Sequence, residues 1–97
     1  MPTYVTLYRY TSQGIKNVKD SPSRIKKAKK AIAEAGGKIK GVYVTMGRYD
    51  LVAVSEFPSE EAAAAFLLGQ ASQGNVTTET LRAFTEDEFA KIVSSIP

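Results

Sequence analysis

The sequence predicts an α+β domain: two helices on one face of a four-stranded antiparallel sheet, with a short helix after the last strand. Three observations predict it. Four stretches, TYVTLYRY, KIKGVYVTM, YDLVAVSEF and VTTETLRAF, are rich in the β-branched and aromatic residues that suit a pleated surface. Two longer stretches open on a helix-start signal and close on glycine. The resulting order, strand-helix-strand-strand-helix-strand, restricts the layers to very few arrangements. The chain has 97 residues, enough for a single domain (1–97) and too few for two.

The first strand is expected from Thr3 to Tyr10. TSQGIKNVKD reads as a polar loop. In SPSR, Ser21 is placed to cap a helix, and Pro22 suits its first position, where an amide hydrogen would lack a partner anyway. Ile25, Ala28, Ile32 and Ala35 then form an apolar stripe, with Lys26, Lys27, Lys29 and Lys30 off it. Gly36-Gly37 ends this helix. Strand two is predicted from Lys38 to Met46 and strand three from Tyr49 to Phe57, joined by a tight hairpin in which Gly47 supplies a positive φ. Glu60 and Glu61 open the second helix at the end where its dipole favours anions. The alanine run favours helix and close approach to a sheet. Gly74-Asn75 stops it, and Val76 to Phe84 is the fourth strand. Thr85 and Glu88 form a capping-box pattern for a last helix ending near Ile96. The order is that of the ferredoxin-like pattern.

Composition narrows the chemistry. The sequence contains neither cysteine nor histidine. Disulfides and thiolate chemistry are therefore excluded, as are the usual neutral-pH proton shuttle and the commonest nitrogen ligand for metals. No cofactor or transition-metal site is expected. MPTYVTLYRY is unlike a secretion signal and no apolar run approaches the length of a membrane span, so a cytoplasmic protein without a membrane partner is expected. Residues 1–50 carry eleven Lys or Arg against three acids, whereas residues 51–97 carry two against seven. Such a split fits a nucleic-acid partner or two halves that face each other. The lysines lie on the solvent side of an amphipathic helix, and the strands lack the aromatic signature that stacks bases. A solvated face is therefore the better reading, with no nucleic-acid partner.

Alternation sorts the strands into two faces. Val5, Leu7, Val42, Val44, Met46, Leu51, Ala53, Phe57, Leu81 and Ala83 are expected under the helices. The other face then presents Thr6, Tyr8, Tyr10, Tyr43, Thr45, Asp50, Val52, Val54, Glu56, Thr78, Thr80 and Arg82. An uncovered face with that many large side chains is unusual for a monomer. Two copies are therefore expected to stack sheet on sheet as a homodimer or higher homo-oligomer.

TSQGIKNVKDSPSR, GGKIKGVYVTMGRYDLVAV and GNVTTETLRAFTEDEF together closely resemble the GYD domain family, from about Tyr4 to Phe89. The family's Gly-x-Tyr-Asp motif is here Gly47, Tyr49 and Asp50. The resemblance implies a ferredoxin-like unit similar to the dimeric α/β-barrel proteins, whose two sheets pack face to face around a cavity. Some proteins of that wider class are small cofactor-independent oxygenases or isomerases, and their chemistry often uses histidine.

Two groups of residues follow as candidates. In the motif, Gly47 makes the turn, Tyr49 packs, and Asp50 accepts hydrogen bonds from turn amides; alternatively Asp50 is a base or ligand anchor at a cavity mouth. The simpler turn reading is preferred. Tyr8, Tyr43, Asp50, Glu56 and Arg82 are expected to converge between stacked sheets, either as an interface or around a small ligand also touched by Tyr49 and Thr80. The expected role is small-ligand binding or scaffolding through the assembly. The competing class is a cofactor-free enzyme with Asp50 or Glu56 as base and Arg82 holding an anion.

Overall fold

The computed structural model describes all 97 residues. Its elements are β1 (Thr3–Tyr10), α1 (Ser12–Lys16), a 3-10 turn (Val18–Asp20), α2 (Ser21–Glu34), β2 (Lys38–Val44), β3 (Leu51–Glu56), α3 (Glu60–Ser72), β4 (Val76–Ala83) and α4 (Glu86–Ser94). The strands form one antiparallel sheet in the order β2-β3-β1-β4. Thr6 of β1 stands opposite Ala53 of β3 on one side and Thr80 of β4 on the other.

Helix ends follow the local chemistry. Ser59 accepts from the Ala62 amide at 3.1 Å, and Glu60 and Glu61 occupy the first turn of α3. The capping box of α4 is reciprocal: Glu88 donates its amide to the Thr85 hydroxyl oxygen, and the Thr85 amide donates to the Glu88 carboxylate. At α2 the expectation needs correction. Ser21 is already helical, and its hydroxyl meets that of Tyr10 at 2.7 Å instead of capping. The stretch expected as a loop also contains α1. Thr11 caps it by accepting from the Gly14 amide, and Gly14 allows it to lie against the start of β4. A Cβ at Gly14 would stand 1.9 Å from the Asn75 carbonyl oxygen.

The hairpin is wider than predicted. β2 ends at Val44 and β3 begins at Leu51, so Met46 lies in the connection and is 98% exposed, not in the core. A register shift between Ile39 and Gly41 makes Lys40 an extra residue, and this lets Ile39 and Val42 point to the same side.

The core lies between the sheet and the two long helices, around Tyr4, Ile32, Phe57 and Ala63, with Ile39, Ala62 and Phe66 packed on it. Phe57 meets Tyr4 edge-on at 6.0 Å between ring centroids and Phe66 at 5.5 Å. On β3 the sorting of faces agrees with the sequence: Leu51, Ala53, Ser55 and Phe57 are buried. On β1 and β4 it is inverted. Tyr4 and Thr6 are buried, and Thr80 and Arg82 pair with them on the same side. Two of the tyrosine hydroxyls on this side find partners, Tyr8 with Gln70 of α3 and Tyr10 with Ser21 of α2, while that of Tyr4 is buried without one. Polar groups that find partners beneath the helices can be buried at little cost. Val5 and Leu7 consequently turn to the other face.

Candidate functional site

The Gly-x-Tyr-Asp segment closes the β2–β3 connection. Gly47 takes φ +112°, a conformation that costs other residues strain. The Thr45 amide donates to the Asp50 carbonyl at 2.9 Å, and the Thr45 hydroxyl donates to the Tyr49 carbonyl at 2.6 Å. Asp50 binds β1 twice: its amide donates to the Tyr8 carbonyl, and its carboxylate accepts from the Tyr10 amide, both at 2.8 Å. These bonds carry the β1–β3 pairing past its last ladder pair, Tyr8 with Leu51.

Tyr49 reaches across the sheet. The Arg9 guanidinium of β1 stands 5.2 Å from its ring centroid, and its hydroxyl donates to Glu79 of β4 at 2.9 Å. Arg9 is itself anchored by its Nε–H, which donates to the Arg48 carbonyl at 2.9 Å. Arg9 and Glu79 share the row of Val5, Leu7 and Leu81, so this clamp sits at one end of the face opposite the helices.

That face is apolar along its centre. Val5 and Leu7 lie beside Val52 and Val54, flanked by Tyr43 on β2 and Leu81 on β4. Tyr43 and Leu81 are 64% and 54% exposed, and α2 and α3 both lie on the other side of the sheet. The Tyr43 ring folds back over Gly41, where a Cβ would come within 3.1 Å of it. Charge lies at its margins: Arg9 at one end with Glu79 on the flanking β4, and Lys40 with Glu56, 3.8 Å apart, at the other end. Helix α4 and the residues that follow it add a second uncovered apolar surface, with Phe89 and Ile96 more than half exposed.

The residues expected to converge divide between the two faces. Tyr43 and Glu56 lie on the open face, with Tyr49 across its end. Tyr8, Thr80 and Arg82 lie on the helix side. Tyr8 donates to the Gln70 side-chain oxygen at 2.8 Å, and burial pushes its hydroxyl above the ordinary tyrosine range. The Thr80 and Thr6 hydroxyls are 3.4 Å apart. Arg82 stands 4.5 Å from the Phe84 ring centroid and 5.8 Å from that of Tyr4, and donates to the Thr3 and Ala83 carbonyls. Within the chain Arg82 and Glu56 therefore share no site. Sequence reasoning missed Arg9 and Glu79, the partners of Tyr49, and gave Val5 and Leu7 to the wrong face. The apolar character of both rows of β1 was the available signal that neither row is a wetted one.

Four antiparallel strands with two helices on one side and an apolar, uncovered surface on the other define a ferredoxin-like α+β protein. The chain belongs to the GYD family, whose domain model matches residues 4–93. It is 33% identical over 84 residues to the glutamine synthetase and cystathionine beta-lyase binding protein of Thermus thermophilus, an alignment spanning 86% of this chain and 88% of that protein. Among solved structures it resembles TTHA0845, also from Thermus thermophilus, with TM-score 0.55, 31% identity, and 88% and 95% of the two chains covered. FFRP-DM1 aligns with TM-score 0.62 at 21% identity, covering 87% of this chain and all of that one, a likeness of fold alone. No helix is long and apolar enough to cross a membrane.

Proposed function

We propose that the chain is a non-catalytic binding protein that works as a homo-oligomer, its subunits stacked open face to open face. The uncovered central strip of Val5, Leu7, Val52 and Val54, flanked by Tyr43 and Leu81, carries this reading. Covering about 400 Å² of apolar surface contributes on the order of 10 kcal/mol at about 25 cal/mol per Å². That is comparable to the association cost of about 4–15 kcal/mol. Stacking leaves α2 and α3 outermost, with Lys26, Lys29 and Lys30 exposed to meet a protein partner. The name of the Thermus relative supports such a partner, and nitrogen- or sulfur-metabolic enzymes of the same two kinds are the first to try. The division of Glu56 and Arg82 between faces favours binding over an enzyme built from that pair.

Light scattering of the purified chain at micromolar concentration tests the assembly, with a dimer or larger species expected. A monomer there defeats it. Surface plasmon resonance against glutamine synthetase and cystathionine beta-lyase of the same organism tests the partner class. Retention of either enzyme is expected, and retention of neither defeats the proposed binding of these two enzymes.

A further inference from the structure

Helices α2 and α3 leave a cleft of about 410 Å³ between themselves and the sheet. The volume falls within the range of small-molecule sites, about 300–1,000 Å³. Residue size contributes to it. Ala28 of α2 and Ala53 and Ser55 of β3 all line the space, where larger branched side chains would occupy more of the layer. Ala31, Ala65 and Gly69 line the cleft and are themselves exposed, so its opening runs between the helices.

Most of the lining is apolar, and its polar groups include a hydrogen-bonded pair and two cations. The Tyr8 hydroxyl donates to Gln70, which leaves the Tyr8 oxygen free to accept and the Gln70 amide free to donate. Two cations, Arg24 and Lys27 of α2, belong to the lining, and no Asp or Glu does. Arg24 is held in place by donating to the Asn17 carbonyl at 3.2 Å and the Ser21 hydroxyl at 3.1 Å, with further N–H groups to spare.

We propose that this cleft binds an amphipathic monocarboxylate, its apolar body between Ala28, Ala53 and Phe66 and its carboxylate at Arg24 and Lys27. The site lies on the helix side of the sheet, so it goes beyond the proposed assembly and does not depend on it.

The test is calorimetric titration of the full-length chain with decanoate below its micellar concentration, beside decan-1-ol and decylamine. Decanoate is expected to bind one per chain, at least about tenfold tighter than either uncharged or cationic counterpart. Ala28→Leu, which fills the cleft, is expected to weaken decanoate at least about tenfold with an unchanged far-ultraviolet spectrum. The double variant Arg24→Gln/Lys27→Gln is expected to bring decanoate down to the affinity of decanol. If Ala28→Leu does not fold, Ala65→Leu at the opening is read in its place. Absence of decanoate binding, equal affinity for the three probes, or binding undiminished by the filling variant each overturns the proposal. Light scattering on the same samples separates this result from failure of the sheet-to-sheet assembly.

Discussion

Asp50 supplies hydrogen bonds where the ladder between β1 and β3 has run out, and its carboxylate is the partner of the Tyr10 amide. Asp50→Ala leaves that partly buried amide without an acceptor. A loss of about 1–2 kcal/mol in urea unfolding is expected, with Asn at the same position recovering part of it through its carbonyl. Tyr8 has the opposite relation to charge. Burial favours its neutral form, so its pKa lies above the ordinary value of 10.0. The folded chain then holds this proton more tightly than the unfolded chain. Its contribution is complete below pH 10.0 and disappears as pH rises through the folded value. Wild type is expected to lose stability above that pH more steeply than Tyr8→Phe, followed by thermal melts along an alkaline series. The two residues were not equally legible. Turn chemistry is local, so Gly47 declared its positive φ from its neighbours alone. The side on which Tyr8, Thr80 and Arg82 fall depends on strand facing, and β1 is apolar on alternate residues in both directions.

At the level of elements, α4 stands apart from the packing of the rest. Its capping box is complete, yet Phe89, Ile92 and Val93 remain exposed. A helix held mainly by its cap is expected to open locally. Thr85→Ala should reduce amide protection across Glu86–Ser94, by about 1 kcal/mol of cap energy, and leave the unfolding midpoint of the sheet unchanged. Hydrogen exchange read by nuclear magnetic resonance checks both parts. Acid acts on the same cap. The hydrogen bond from the Thr85 amide holds the Glu88 carboxyl below its ordinary value of 4.5. The cap is therefore intact above that value and weakens as pH falls through the depressed one. All four strands and the three longer helices were legible because each carries a start or stop signal and a sustained pattern. Helix α1 was not, since five residues are too few to display a period. The connection Thr45–Asp50 is wider than the sequence predicts, because Val44, Thr45 and Met46 continue the β-favouring composition of β2 and so place the turn at Gly47 and Arg48 alone.

For the molecule as a whole, the decisive property is a sheet with apolar residues on both sides and a core of few fully buried side chains. Val54→Lys places an ammonium at the centre of the open face without entering the core. It is expected to leave the circular dichroism of the chain intact and shift light scattering to a monomer, because an unpaired charge in a covered sheet is costly to desolvate. Such a sheet also exposes two rims, and the β2 rim carries a specific interruption. Lys40 is the surplus residue between Ile39 and Gly41, and Lys38 lies two positions before it. A foreign strand laid along this border would lose its sequence of amide partners partway and meet two ammonium groups. Ribbon growth from that border is thereby discouraged, and a protein with an apolar sheet surface is steered away from fibre formation by one inserted lysine.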